Sequence, residues 1–372
     1  MAAKRALVVL GMHRSGTSSV AGALTLLGAA APKTLMAAAV DNPKGFFESR
    51  LVGELNDRIL QAAGSRWDDW RRFDASALAP DTAHDFRDQI RATLHHEFGS
   101  DPLVVLKDPR LCRMLPIWGG VFEEEGYEAD FVLPVRSPLE VARSLNRRNG
   151  MPIAAGVLLW LRHVLDGEKL TRSKPRRILL WRTFMEDWRS EVAAIQEALH
   201  WDADVTDERA RDVDGFLSVD LQHEVVSDDA LGADPDAHAW ALEVYEALAG
   251  LSAGKDDSAH LATLDRVAAS FDEACKLYGA VHQSLVLRVE ELEAELAHQT
   301  VSSDSLLCEA LDNHYGQLTR KERIERALAM TASSAVMRNE ARAAFSVALR
   351  HSESHLSRVH RAQQSYAGAR NA

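Results

Sequence analysis

Four short apolar runs occur in the first half of the chain. They cover residues 6–10, 103–106, 131–135 and 178–181, and no charged side chain interrupts them. Runs of this length are too short for helices, and their continuous apolar character is typical of strands covered on both faces in a parallel sheet. The pattern therefore predicts four buried parallel strands.

Helical patterns lie between these runs. After Gly16, apolar residues recur at Val20, Leu24 and Leu27, and Gly28 is a suitable end for that helix. A second helix is predicted at residues 137–148, where "SPLE" has the spacing of a capping box with proline at the first helical position. Alternating strands and helices predict a three-layer α/β fold over roughly residues 1–202.

The chain changes character after Trp201. The segment "DADVTDERARDVDG" is acidic and poor in strand-forming residues, and the pattern is helical from about Asp234 onward. We therefore predict an α/β domain over residues 1–225 and a helical extension over residues 226–372. Within the extension, four apolar residues have the 4-3-4 spacing of a short coiled coil or helical hairpin that could support an oligomer: Leu285, Val289, Leu292 and Leu296.

Charge and composition exclude several classes of protein. The formal net charge of -12 argues against nonspecific nucleic-acid binding, because a phosphate backbone would be repelled. Three widely spaced cysteines indicate neither a disulfide framework nor a metal site. The apolar run at residues 6–10 is too short for a signal peptide, and no apolar stretch reaches the length of a membrane span. We predict a cytoplasmic protein without such a span.

The strongest chemical signal is the stretch "LVVLGMHRSGTSSV" at residues 7–20. Gly11 and Gly16 give it the outline of a phosphate-binding (P-loop-like) loop between a strand and a helix, where backbone N–H groups and the helix dipole attract anions. The lysine expected after the second glycine is missing, and Arg14 is the cation of the loop instead. The loop also offers hydroxyl donors at Ser15, Thr17 and Ser18. The alternative interpretation is a purely structural turn.

A second stretch with chemical character is "FVLPVRSPLEVARSL". Arg136 lies at the carboxyl end of a predicted strand, the edge where open α/β sheets bind ligands. Ser144 follows Ser137 by two helical turns, so both lie on the same helix face. Arg136 and Ser144 could thus meet one anionic group, although Arg136 could instead pair with Glu140.

These stretches together resemble the sulfotransferases that use 3'-phosphoadenosine-5'-phosphosulfate (PAPS). "GMHRSGTSSVAGAL" is similar to their 5'-phosphosulfate loop, and Arg136 with Ser144 matches their 3'-phosphate-binding pair. The segments "DNPKGFFE", "RWDD", "LKDPRLCRMLPIW" and "LLWLRHVLD" look like those of the bacterial sulfotransferase family, whose members often act on carbohydrate or lipid-linked acceptors. The resemblance covers about residues 5–225.

The resemblance implies a PAPS-dependent enzyme that needs no metal and transfers sulfonate to an acceptor hydroxyl, with a glycan or glycolipid favoured. Arg14 would stabilise the charge that grows on the departing nucleotide. The donor-binding residues implied are Gly11, His13, Arg14, Ser15, Gly16, Thr17, Ser18, Arg136 and Ser144.

The resemblance also suggests a base that takes the proton of the acceptor. Glu48, next to two phenylalanines, is the candidate, and the alternative is a surface glutamate paired with Lys44 or Arg50. His13 and His163 are further candidates, although His163 fits a packed helix residue better.

Two more segments bear on catalysis. Lys107 resembles the lysine that related enzymes place against the sulfonate, with an ion pair to Asp108 or a neighbour as the alternative, and Arg110 could bind the acceptor. The sequence departs from the family at Trp181, where a Tyr-Glu-Asp-like triplet is expected. The residues of "WDDW", Trp67, Asp68, Asp69 and Trp70, could line an acceptor pocket or belong to the core.

Two other functions fit parts of the sequence. An ATP- or GTP-dependent phosphotransferase could use Asp108 as its magnesium ligand, but the missing lysine and the Arg136–Ser144 pair count against it. A noncatalytic nucleotide-binding scaffold could recruit partners through the helical extension.

Overall fold

The computed structural model describes residues 4–38, 42, 44–217, 238–254 and 257–315. Its four strands are β1 (Lys4–Val9), β2 (Leu103–Lys107), β3 (Tyr127–Val135) and β4 (Arg176–Leu180). They form a parallel sheet in the order β2-β1-β3-β4. All four predicted strands are confirmed, with bounds shifted by a few residues.

At least one helix follows each strand, and the described elements after β4 are all helices. They are α1 (Thr17–Leu26), α2 (Arg50–Ala62), α3 (Pro80–Phe98), α4 (Leu111–Glu124), α5 (Pro138–Asn149), α6 (Ile153–Thr171), α7 (Trp181–Glu186), α8 (Trp188–Leu199), α9 (Asp207–Phe216), α10 (Ala239–Ser252) and α11 (Asp257–Tyr315). The predicted α/β architecture with a helical C-terminal region is confirmed.

The sheet separates two hydrophobic cores. Val8 of β1 packs into a core that includes Trp118 of α4 and Trp160 of α6. Leu7, the neighbouring residue, points to the other core, which includes Leu24 of α1. Successive residues of a strand face opposite sides of the sheet, so a strand buried on both faces must be apolar throughout. This explains the uninterrupted apolar runs in the sequence.

The start of α5 differs from its prediction in one respect. The helix begins at Pro138 and ends before Gly150, whose φ of 75° is left-handed. The capping box is wrong, because Ser137 Oγ has no hydrogen-bond partner among the described residues and Glu140 binds Arg136 instead. The start of α5 therefore has no side-chain cap, and Glu140 is used by Arg136.

The predicted domain boundary at residue 225 lies outside the described residues and stays a prediction. One compact unit covers Met1–Leu285 and a second covers Val286–Ala372. Val244 and Leu248 of α10, with Leu264 and Phe271 of α11, are buried in the core beside α4 and α6. The buried faces of α10 and of the first part of α11 therefore belong to the first unit.

The predicted coiled-coil seam lies on α11. Leu285 is 61% exposed and Leu292 is 46% exposed, and Val289 and Leu296 are similarly accessible. A coiled coil and an oligomer remain predictions. Among the described residues, no helix has the length and apolar character that crossing a membrane requires.

Candidate anion-binding site at the carboxyl edge of the sheet

The residues that carry chemistry meet at one edge of the sheet because the strands are parallel. The loop after β1, Lys107 at the end of β2, Arg136 after β3 and Trp181 after β4 all lie at carboxyl ends of strands. In open α/β sheets this edge is where ligands bind. Segments distant in the sequence are thereby brought together.

The loop between β1 and α1 has an unusual backbone. Arg14 has a φ of 69° and Gly16 a φ of 82°, both in the left-handed region. A left-handed arginine is uncommon, and such conformations concentrate at functional sites. A Cβ atom added to Gly11 would lie 2.7 Å from Thr17 Cγ2 and 3.0 Å from the Pro134 carbonyl oxygen. Glycine is therefore required where the loop passes β3.

The loop leads into α1, whose N-terminus has no side-chain cap. Gly16 precedes α1 without a side-chain cap, and the first turn of α1 contains no acidic residue. The first N–H groups of a helix lack intrahelical partners and carry the positive end of its dipole. Ser15 Oγ is buried beside them and has no hydrogen-bond partner in the part of the chain that the structure describes. This end of α1 can therefore accept an anion.

Arg14, Arg136 and Ser144 form one cluster. Arg14 Nε donates to Ser144 Oγ at 2.9 Å, and Arg136 Nη1 donates to the carbonyl oxygen of Arg14 at 3.3 Å. Arg136 Nε also donates to Glu140 Oε2 at 2.6 Å, so the pairing with Glu140 is present as well. Burial lowers the pKa of Arg136, while Glu140 acts in the opposite direction. The two predicted anion-binding points thus adjoin each other.

Trp181 covers this cluster. The Cζ atom of Arg136 lies 4.1 Å from the centroid of the indole ring. The ring edge meets Gly16 so closely that a Cβ added there would lie 1.8 Å from Trp181 Cδ1. Sequence analysis assigned no function to Trp181, although a tryptophan at the carboxyl end of a buried strand, where ligands bind, was the available signal.

Glu48 and Lys107 form a buried ion pair. Glu48 is 6% exposed and Lys107 is 2% exposed. Lys107 Nζ also donates to the Phe46 carbonyl oxygen at 3.2 Å and to Ser18 Oγ at 3.4 Å. Glu48 is therefore buried rather than at the surface, and Lys107 forms an ion pair with Glu48 rather than with Asp108.

Asp108 and Arg110 hold each other in place. Asp108 Oδ1 accepts the backbone N–H of Arg110, and its Oδ2 accepts Arg110 Nη1 at 3.0 Å. Asp57 binds the rest of the guanidinium at 2.7 and 3.0 Å. Burial lowers the pKa of Arg110, but the two carboxylates outweigh burial and raise it above its usual value. Both carboxylate oxygens of Asp108 are therefore engaged.

Two imidazoles lie close together at this site, His13 in the loop and His163 on α6. His13 and His163 have ring centroids 6.2 Å apart, and neither Nε2 has a hydrogen-bond partner within the described chain. Burial, followed by the charges of Arg110 and other neighbours, lowers the pKa of His13 well below its ordinary value. Burial also lowers the pKa of His163 to about 3. His163 Nδ1 contacts the Leu159 carbonyl oxygen at 2.8 Å, so His163 is a packed helix residue, as its apolar helix suggested.

The "WDDW" segment divides between the two suggested roles. Trp67 lines the pocket and meets the ring of His13 edge-on at 5.2 Å. Trp70 stacks on Phe271 at 6.0 Å in the core. The aspartates pair with nearby arginines: Asp68 with Arg66, and Asp69 with Arg71.

A pocket of about 290 Å³ lies over these groups. Its charged lining is mostly basic and consists of Arg14, Lys107, Arg110, Arg136 and Arg148, with Glu48 as the acidic member. Gly16, Thr17 and Ser18 contribute the start of α1. A wider groove of about 700 Å³ beside α8 contains none of the candidate residues. The charge of the smaller pocket fits an anionic ligand.

Comparison with known proteins gives similarity at the level of structure. No protein-family model matches the sequence, and no curated protein matches it either. The sulfotransferase domain from the Synechococcus PCC 7002 olefin synthase is similar with a TM-score of 0.36 and 17% identity, over 61% of this chain and 90% of that one. The sulfotransferase domain from the curacin biosynthetic pathway has a TM-score of 0.34 and 14% identity, over 54% and 76%. The chain thus has structural similarity to sulfotransferase domains at low identity.

Proposed function

We propose that this protein transfers a sulfonate group from PAPS to an acceptor hydroxyl. The observation that carries the proposal is the convergence of two anion-binding elements in one pocket. One is the uncapped start of α1 with Arg14, and the other is Arg136 with Ser144. PAPS has anionic groups at its 5' and 3' positions, so it needs two such elements close together.

The residues of the pocket fit this donor. Gly11 and Gly16 leave no room for a side chain, so their backbone can approach a 5'-phosphosulfate. The buried Ser15 hydroxyl, without a partner among the described residues, is available to an anion. Thr17 and Ser18 supply further donors, and His13 adjoins them in the pocket lining. When bound, PAPS supplies the activated sulfonate.

Arg14 is proposed to stabilise the transition state. Negative charge grows on the oxygen through which the nucleotide departs, and fixed donors aimed at that position lower the barrier. The guanidinium of Arg14 keeps its charge throughout, and its bond to Ser144 fixes its direction. The N–H groups at the start of α1 add donors that need no reorganisation.

Glu48 is proposed to accept the proton of the acceptor hydroxyl. Its carboxylate lines the pocket and is held by Lys107, whose ammonium also reaches Ser18 at the start of α1. Lys107 thus positions the base next to the donor-binding turn. The same ammonium is close enough to that turn to be proposed as a contact for the sulfonate.

The acceptor is proposed to be a glycan or glycolipid hydroxyl. Trp67 contributes an aromatic face to the pocket, a surface against which a sugar ring packs. The two described cysteines, Cys112 and Cys275, are buried free thiols, and we propose a reducing, cytoplasmic location on that basis.

A magnesium-dependent phosphotransferase is less well supported. Its candidate metal ligand, Asp108, already receives two hydrogen bonds from Arg110. In addition, Thr17 stands where such enzymes have the lysine that reaches the terminal phosphates.

A thermal-shift experiment separates the two functions. We expect 3',5'-ADP to raise the melting temperature without magnesium, because a ligand that binds only the folded state stabilises it. Arg14→Ala should lose this shift, whereas Arg50→Ala, at an exposed pair with Glu54, should keep it. Stabilisation by ATP with magnesium alone would contradict the proposal. Labelled PAPS incubated with cell extract then identifies the acceptor.

A further inference from the structure

Trp181 contains a buried donor without an acceptor. The residue is 4% exposed, and its Nε1 has no hydrogen-bond partner among the residues described. The indole N–H can only donate, and burial without a partner is unfavourable, so such groups are rare and call for an explanation. A ligand that brings an acceptor is one explanation.

The position of the indole identifies the kind of ligand. The edge that carries Nε1 meets the start of α1, since a Cβ on Gly16 would lie 2.2 Å from Nε1. The face of the same ring covers the guanidinium of Arg136. Trp181 therefore contacts both elements that the proposed function assigns to the anionic groups of the nucleotide.

The surroundings of Trp181 are rich in donors. Ser15 and Ser137 directly follow Arg14 and Arg136 in the sequence. Their hydroxyls are buried and also lack a hydrogen-bond partner among the described residues. The basic side chains that line the pocket also donate hydrogen bonds, and Glu48 is already bound by Lys107. No described group accepts a hydrogen bond from the indole, and a bound phosphate would bring strong acceptor oxygens to it.

We propose that the indole N–H of Trp181 donates a hydrogen bond to a phosphate oxygen of the bound nucleotide. This inference rests on the proposed function and adds a donor-binding residue to it. The indole joins the two halves of the site, because its edge faces the turn at Gly16 while its face orients Arg136.

The test is Trp181→Phe, which keeps an aromatic face for Arg136 and removes the N–H together with part of the ring. We expect the dissociation constant for 3',5'-ADP, measured by calorimetry without magnesium, to rise about 10-fold to 100-fold, as for a lost hydrogen bond to a charged group. The smaller ring leaves a cavity, so the melting temperature of the ligand-free protein should fall somewhat whichever role the indole has. The affinity therefore decides, because a purely structural role would leave it unchanged.

Trp188→Phe is the matched control. Trp188 is equally buried, but its Nε1 donates to Asp214 Oδ1 at 2.9 Å, away from the pocket. We expect this variant to bind 3',5'-ADP like the wild type. An indole N–H resonance of the wild type that shifts on adding 3',5'-ADP, and that belongs to Trp181, gives the same answer should Trp181→Phe fail to fold.

Two further probes identify the oxygen. A weakening seen equally with 5'-AMP assigns it to the 5' group, and a weakening seen with 3'-AMP but absent with 5'-AMP assigns it to the 3'-phosphate. Equal affinities of wild type and Trp181→Phe for all three nucleotides, with no shift of the Trp181 resonance, overturn the inference and leave the proposed function intact. A wild type that binds none of them overturns both.

Discussion

At the scale of single residues, the buried pair of Glu48 and Lys107 is the arrangement that most needs a reason. Desolvating two charges costs as much as their attraction returns, so an apolar pair of similar volume would often be as stable. This pair instead lines a pocket and reaches Ser18 at the start of α1. We therefore interpret the pair as present for a chemical role rather than for stability.

Glu48→Gln tests the proposed base. Glutamine keeps the shape and still accepts a hydrogen bond from Lys107, but it cannot take a proton. Sulfonate transfer should fall by at least about 100-fold, the usual effect of losing a general base, while the affinity for 3',5'-ADP stays within a few-fold. Glu54→Gln, at an exposed position, is the control. Transfer within a few-fold of wild type would assign the proton to another group.

His163 makes stability depend on pH. Its folded-state pKa of about 3 lies below the ordinary 6.5, so between these values the unfolded chain binds a proton that the folded chain does not. Stability contributed in this way is present above pH 6.5 and lost as the pH falls, by up to about 1.4 kcal/mol per pH unit.

His163→Gln should reduce this dependence. The difference in the free energy of unfolding between pH 7 and pH 5, measured with urea, is expected to be smaller in the variant than in the wild type. Other titrating groups contribute to both proteins and cancel in the comparison. Equal pH dependence in the two proteins would show that the imidazole charges readily in the fold.

Residue identities were largely readable from the sequence, whereas their partners were not. Gly11 and Gly16 were recognisable because a tight phosphate-binding turn requires glycine, and Arg14 was recognisable as the cation within that turn. The bond between Arg14 and Ser144 joins residues 130 positions apart, and local patterns carry no information about such a contact. The same holds for the partner of Lys107 and for Trp181, which lacked a familiar motif.

At the scale of elements, the connection from β1 to α1 combines backbone strain with close packing. The strands were predictable because burial on both faces demands continuous apolar runs. The cap of α5 was not, because Glu140 satisfies Arg136 rather than the helix end. Sequence patterns therefore located the strands and helices. The predicted cap of α5 is absent because its glutamate, Glu140, binds Arg136.

Gly16→Ala should lower the free energy of unfolding by more than the strain of a left-handed alanine alone. Gly64 is a control, with a φ of 67° and no described atom within 4 Å of an added Cβ, so Gly64→Ala should cost only left-handed strain of about 1 kcal/mol. Gly16→Ala also collides with Trp181. Urea unfolding should show a larger loss for Gly16→Ala, and calorimetry a loss of 3',5'-ADP binding. Unchanged binding would remove the turn from the donor site.

At the scale of the whole molecule, the first compact unit includes helices that the sequence assigned to an extension. The acidic segment after Trp201 resembled a boundary, but α10 and the first part of α11 pack onto the core of the α/β unit through residues such as Leu248 and Phe271. Helical periodicity shows that a face is apolar without showing what covers it.

Two truncated fragments test whether the folding unit ends near residue 225 or near residue 285. A fragment of residues 1–285 should unfold cooperatively and bind 3',5'-ADP. A fragment of residues 1–225 loses buried side chains such as Val244, Leu248 and Phe271, each worth about 1.5–3 kcal/mol, against a typical total stability of about 5–15 kcal/mol. Circular-dichroism melts should therefore show no cooperative transition for it. A cooperative melt of the shorter fragment would place these helices outside the folding unit.

The contact between Arg14 and Ser144 also has a consequence for how the protein can be assayed. Arg14 lies in the loop after β1 and Ser144 in α5 after β3, so their contact requires these two strands to be paired in the sheet. A partly folded chain, or one missing either strand, presents isolated arginines rather than a nucleotide site. Retention on an immobilised 3',5'-ADP resin is therefore expected to select natively folded molecules, which makes the site a practical reporter of correct folding in preparations of the protein.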